Sequence, residues 1–187
     1  MQQSASDSES VTRELLVRIA HGDERALERF YSQFQGQVYA FAMARLGDPH
    51  LSSDVLNEVM MEVWKSADRF EGRSKVRTWL FGITHHKVID RLRKKPGQEE
   101  VELDEQLADD RHISIERTLA AVQDAQRLQH CLDELSDEHR QVIHLAFVEG
   151  LAYGDIAEIA SVPTGTVKTR MFHARKLLKH CLGSTGL

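Results

Sequence analysis

The sequence predicts an all-α protein of two small helical domains. No run rich in Val, Ile and Thr alternates with a period of two, as a half-buried strand would. Large apolar residues instead recur at three- and four-residue steps, the mark of helices with one core-facing stripe. A highly charged stretch poor in large apolar groups, 96–113, interrupts the pattern near the middle of the 187 residues, so two halves each bury a modest core.

The elements follow in order. The segment VTRELLVRIA (11–20) sets Leu15, Leu16 and Ile19 on one side and stops at Gly22. Asp23 then caps a second helix that runs to Gly47, with Leu27, Phe30, Tyr31, Phe34, Val38, Phe41 and Leu46 as its inner stripe. Asp48 and Pro49 start a third helix over about 51–67, where Val55, Val59, Val63 and Trp64 face inward. A loop, 69–74, leads to a fourth helix from Val76 to Lys95, which Pro96 and Gly97 end. The stretch 96–113 reads as a flexible acidic linker. Helices are then expected over about 114–134, 136–149, 152–160 and 164–182. The domain boundaries are 11–95, 96–113 and 114–183.

Charge sharpens this division. The chain carries 24 Lys and Arg against 29 Asp and Glu, a net −5, but unevenly. Residues 65–95 hold ten basic and three acidic groups, and 163–187 hold five basic groups and no acid. Two basic surfaces on an otherwise acidic chain point to polyanion contact at two places. The last helix gives this a geometry. Val167, Met171, Ala174 and Leu178 fall on one side, while Gly165, Thr169, Phe172 and Lys176 point the other way, flanked by Lys168 and Arg175. Thr164 is placed to cap this helix after the turn Ser161-Val162-Pro163, and small Ala157 lets the preceding helix approach closely. This is a helix-turn-helix pattern, whose second helix can enter a major groove.

No stretch approaches the length of a membrane span, and the polar start MQQSASDSES lacks the parts of a signal peptide. Cys131 and Cys181 stand far apart with no C-x-x-C spacing, so a disulfide scaffold is not expected and a reducing cytoplasm is the expected location. His85-His86, His130-Cys131 and His180-Cys181 suggest no metal site, because adjacent helical residues diverge by about 100°. A metal-dependent hydrolase built on His85, His86 and Asp90 fails on that geometry. With no phosphate loop and no nucleophile elbow, neither a cofactor nor enzymatic chemistry is expected.

Three segments resemble a known family. GLAYGDIAEIASVPTGTVKTRMFHARKLL (150–178) is similar to the −35-reading module of extracytoplasmic-function (ECF) sigma factors. SDVLNEVMMEVW (53–64) resembles the segment that this family docks on the clamp helices of RNA polymerase. RFEGRSKVRTWLFGITHHKVIDRLRK (69–94) resembles the segment that reads and opens the −10 element. The resemblance covers about 11–95 and 114–182. It implies a sigma-2-like helical bundle and a sigma-4-like helix-turn-helix domain. The implied partners are core RNA polymerase, through its clamp helices and flap, promoter DNA and an anti-sigma protein.

By position, the resemblance assigns Asp54, Asn57 and Glu58 to polymerase docking, with Asn57 standing where Gln is commoner. It places Phe70, Arg73, Lys75, Arg77, Trp79, His86, Lys87 and Arg91 at the −10 element. Gly82 and His86 depart there from the Arg and Asn that the family often carries. Thr164, Thr166, Lys168, Thr169, Arg170, Phe172, Arg175 and Lys176 fall at the −35 element. Residue chemistry suits these roles: cations neutralise phosphates, aromatic rings stack unpaired bases, and an acidic-amide face meets a basic helix. The competing class is an autonomous helix-turn-helix regulator that binds duplex DNA without polymerase; such a protein has no need of 51–95.

Overall fold

The computed structural model describes residues 2–93 and 127–184, and every regular element among them is helical. The expected linker 96–113, the beginning of the helix expected from 114, and Lys94 and Lys95 lie outside the described residues. Helix α1 is Gln2–Ala20, and α2 is Glu24–Leu46. Helix α3 is Pro49–Ser66, extended by a 3-10 turn at Ala67–Arg69, and α4 is Val76–Arg93. In the second unit α5 is described from 127 to 133. Helix α6 is Asp137–Ile143, followed by a π turn, His144–Val148; α7 is Tyr153–Ala160 and α8 is Thr164–Ser184.

Capping residues set the boundaries of the first unit. The Asp23 carboxylate accepts from the Ala26 N–H at 3.1 Å, and Asp48 accepts from His50 and Leu51 at 2.8 and 3.0 Å. Gly47 closes α2 in the left-handed conformation, φ 63°, where a side chain would be strained. Helix α1 begins well before residue 11, the first residue with apolar periodicity. The additional turns are polar, so hydrophobic spacing gave no signal for them.

Phe30, Phe34, Val38 and Phe41 of α2 are buried, as are Val55, Val59 and Val63 of α3 and Leu80, Phe81 and Val88 of α4. In the second unit Val142, Leu145, Ile156, Ile159, Val167, Met171 and Ala174 fill the core. The two cores are continuous. Phe41 meets Phe81 edge-on at 5.5 Å and the His144 ring of the second unit at 5.4 Å.

Two expectations are corrected here. Cys131 and Cys181 are joined in a disulfide that ties α5 to α8, so no described cysteine is a free thiol. The pairing depends on α8 returning beside α5, which spacing in the chain does not reveal. Thr164 is not a cap: it is the first helical residue, and the carbonyl of Pro163 takes the N–H groups of Thr166 and Val167 at 2.9 and 3.3 Å. The sharp turn before it is made by Ser161, a non-glycine residue at φ 53°.

Candidate nucleic-acid and polymerase interface

Helix α8 is held by the stripe Val167, Met171 and Ala174, all buried against the rest of the second unit. Its other side faces solvent. Thr164, Lys168, Thr169, Phe172 and Arg175 are exposed, whereas Thr166, Arg170 and Lys176 are partly covered. The Thr169 hydroxyl donates to the Gly165 carbonyl at 3.1 Å, which fixes its oxygen. Arg175 lies over the Phe147 ring at 5.1 Å. Phe147 and Val148, at the end of the π turn, form an exposed apolar pair that helical periodicity missed. Arg170 is displaced from the outer face: it lines a cleft of about 190 Å³ with Arg45, His85, Asp137, Glu138 and Gln141.

The −10 assignments on α4 divide into two groups. Lys75 and Arg77 face the second unit, where Lys75 lies 3.8 Å from Asp155 and Arg77 binds the buried Glu149 carboxylate. Lys87 and Arg91 face α3 instead. Lys87 donates to Glu62 at 3.3 Å, and Arg91 bridges Glu58 and Asp54, the latter at 3.8 Å. The acidic face assigned to polymerase and the cations assigned to DNA therefore form one ion-pair patch, with Asn57 exposed beside it. His86 is exposed, and its ring lies 5.7 Å from that of His85.

The loop before α4 is built from α1. Glu9 accepts the Val76 N–H at 3.0 Å and pairs with Arg13 at 2.9 Å, so its carboxylate closes the start of α4. Arg13 also donates to the Ser74 carbonyl at 3.1 Å and lies 5.7 Å from the Phe70 ring centre. Gly72 sits at φ 70°, and a Cβ there would come within 3.2 Å of the Arg13 guanidinium. The Phe70 and Trp79 rings pack together at 5.4 Å, half-buried against the core, and Arg73 at the loop tip is exposed. Glu9 and Arg13 carried no signal in the sequence, because their partners lie 61 to 67 residues away.

Between the units lies a polar joint. Arg45 of α2 is buried and donates to Asp137 at 2.9 Å. Arg45 Nη1 and Gln141 Nε2 both approach His85 Nδ1, at 3.0 and 2.8 Å. Two donors on one ring nitrogen require that nitrogen to accept, so His85 is neutral. Burial, then the positive fields of Arg45, His86 and Arg170, lowers its pKa to about 3. Burial pushes the Glu149 carboxyl up, but hydrogen bonds from His144 and Arg77 outweigh it and hold the group below its ordinary value.

The chain matches Sigma-70 region 2 over residues 30–96 and Sigma-70 region 4 over residues 125–178. It is 30% identical over 171 residues to the ECF RNA polymerase sigma factor SigK of Mycobacterium bovis, covering 90% of this chain and 91% of that one. The chain belongs to the ECF sigma factor family. A SigK of Mycolicibacterium vanbaalenii is 29% identical over 180 residues, covering 90% of this sigma factor and 88% of its own length. Two solved structures share the fold. CnrH, in complex with the cytosolic domain of CnrY, superposes with a TM-score of 0.69 at 22% identity, over 94% of this chain and 99% of its own. RpoE, in complex with the anti-sigma factor NepR from Bartonella quintana, gives 0.64 at 24% identity, over 84% and 97%. As a sigma factor the chain is a transcription initiation factor, and no described helix is long and apolar enough to cross a membrane. The region 2 match favours a sigma factor over an autonomous regulator, which would not need it.

Proposed function

We propose that this sigma factor divides promoter reading between its two units, 11–95 and 114–183, and docks on polymerase through α3. The observation that carries the reading is the helix-turn-helix of the second unit. Its α8 buries one stripe completely and turns Lys168, Thr169, Phe172 and Arg175 to solvent with no acid among them. A thymine methyl suits the Phe172 ring, and cations at the flanks suit phosphates. In the first unit Asp54, Asn57 and Glu58 meet the clamp helices. The loop 70–76 with Phe70, Arg73 and Trp79 receives bases of the opened −10 element, and His86 reads beside it. Lys75, Arg77, Lys87 and Arg91 neutralise backbone phosphates. Thr164 and Thr166 add hydroxyls at the start of α8, and Arg170 and Lys176 complete its basic flank. The protein performs no chemistry of its own, acts in the cytoplasm beside polymerase, and is held in reserve by an anti-sigma protein.

The test is run-off transcription with purified core polymerase on a −35 mutant library. Thr169→Val and Phe172→Ala should change which −35 bases support initiation, whereas Lys176→Ala should lower activity evenly and reduce its salt dependence. An unchanged base preference in both of the first two variants removes α8 as the reader. Docking is tested separately by pull-down with Asp54→Lys, which should lose core polymerase; equal retention removes the α3 assignment.

A further inference from the structure

The loop 70–76 joins the 3-10 turn to α4, and both of its ends are held by α1. At the α4 end, Glu9 Oε1 accepts the Val76 N–H at 3.0 Å, one of the amides that the first turn of a helix cannot satisfy itself. The same oxygen takes Arg13 Nε at 2.9 Å, and Arg13 Nη2 donates to the Ser74 carbonyl at 3.1 Å. At the other end the guanidinium lies 5.7 Å from the Phe70 ring centre, and that ring packs on Trp79 at 5.4 Å. Gly72 stands between these anchors, where a Cβ would come within 3.2 Å of Arg13 Nη1. One guanidinium therefore approaches the loop at 70, 72 and 74, while Glu71, Arg73 and Lys75 alternate with these positions and are exposed.

We propose that Glu9 and Arg13 are positioning residues for −10 recognition, which hold loop 70–76 in its base-receiving shape before DNA arrives. The inference rests on the proposed reading of that loop and extends it to α1, a helix that carries none of the residues assigned to DNA or polymerase. Arg13 is suited to bracing the loop rather than to binding DNA. Its charge is matched by Glu9, and its fork is occupied by Glu9 and the Ser74 carbonyl. A loop ordered in advance loses little conformational freedom when a base enters, so its contacts with the opened strand are not offset by an ordering cost. Order also brings discrimination, because a fixed loop rejects a misfitting base where a pliable one re-forms around it. Arg13 therefore acts on which −10 bases are accepted, while α8, in the other unit, keeps its own preference.

Holoenzyme assembled from core polymerase and the full chain tests this by run-off transcription on two promoter libraries, one varied in the −10 element and one in the −35 element. Arg13→Ala, Arg13→Lys and Glu9→Gln are compared with wild type and with the loop variant Phe70→Ala/Arg73→Ala. Arg13→Ala should flatten base discrimination at the −10 element by about tenfold, the equivalent of one charge-assisted hydrogen bond, and leave the −35 preference as it was. Lysine keeps the charge but not the fork, so Arg13→Lys should resemble Arg13→Ala. Glu9→Gln keeps an acceptor for the Val76 N–H but loses the ion pair, and should fall between wild type and Arg13→Ala. The salt dependence of open-complex formation should be the same in all three. A smaller salt slope in Arg13→Ala, with Arg13→Lys as discriminating as wild type, marks a direct phosphate contact and overturns the positioning role. Equal losses on both libraries mark a general structural role and overturn it too, as does unaltered −10 discrimination. Should Arg13→Ala fail to fold, Glu9→Gln decides on the same readouts. The loop variant separates this proposal from the one it rests on. If Phe70→Ala/Arg73→Ala leaves −10 discrimination unmoved, the loop is not the base receiver and both readings fall. If that variant loses discrimination while Arg13→Ala and Glu9→Gln keep it, only the positioning role is refuted.

Discussion

Acidification should destabilise the folded chain, and His85, at the contact between the two units, sets the size of the effect. Its Nδ1 accepts from Arg45 Nη1 and Gln141 Nε2, so a proton has no place there while the joint is intact. The groups facing it are Arg45 from α2, Gln141 and the Asp137 and Glu138 carboxylates from α6, Arg170 from α8 and His86 on its own helix. Asp137 is already committed to Arg45. The pKa is lowered from 6.5 to about 3 in the folded chain, so the folded chain binds fewer protons than the unfolded one. The contribution is therefore complete above pH 6.5 and is lost as pH falls from there toward 3. Between pH 7.5 and 5.5 the folding equilibrium should fall by roughly tenfold, or about 1.4 kcal/mol, and the joint bears the share of this that comes from the second unit. His85→Asn keeps an acceptor in place of Nδ1 but cannot titrate, and should flatten the profile. His139, lowered by burial and then by His173, titrates within the second unit in both proteins and cancels from their difference. Small-angle scattering and urea unfolding at the two pH values measure the effect. Identical profiles for wild type and His85→Asn would refute the reasoning.

Three further outcomes are expected. Reducing the Cys131–Cys181 bridge, or replacing both cysteines by serine, reopens a loop of 50 residues and should destabilise the second unit by up to about 4 kcal/mol; an unchanged urea midpoint with reductant contradicts this. Ser161→Gly relieves a left-handed serine and should stabilise by about 1 kcal/mol in the same assay, with a loss of stability counting against the argument. Phe81→Ala empties the centre of the first core beside Phe41 and should cost about 3–5 kcal/mol by thermal or urea unfolding; a cost below that of an ordinary surface change would show that the core collapses freely.

Local features of the fold were legible because their causes are local. The four-residue rhythm of Phe30, Phe34, Val38 and the neighbouring Phe41 placed α2, and the side-chain caps Asp23 and Asp48 together with Gly47 fixed its ends and the start of α3. The inner stripe of α8 was equally plain in Val167, Met171 and Ala174. Pairings between distant residues were not legible. Arg45 and Asp137 stand 92 positions apart, and a charge pattern says nothing of which opposite charge will meet it. The same holds for the disulfide and for Glu9 at the start of α4. Within the candidate site, residue types and spacing singled out Arg77, Lys87 and Arg91 as cations near DNA. That each already has a carboxylate partner depends on how α3, α4 and the second unit pack. Met60 and Met61 are neighbours of identical type, yet Met60 is buried while Met61 is half-exposed. Ser161 gave no warning either, because a serine is not the residue expected at a positive φ.

The bridge between Cys131 and Cys181 also has a topological consequence. It closes the chain into a covalent ring that contains α6, the π turn, α7 and α8 as far as residue 181. A protease that cuts once inside this ring, at the turns around Gly150 or Ser161, produces two peptides but not two molecules. The severed α8 stays attached to α5 and needs no encounter to find its place again, so a nicked chain should migrate as one species on a gel until reductant is added. The segment bearing the exposed Lys168, Thr169 and Phe172 is thus fastened at both ends, by the polypeptide on one side of the turn and by sulfur on the other.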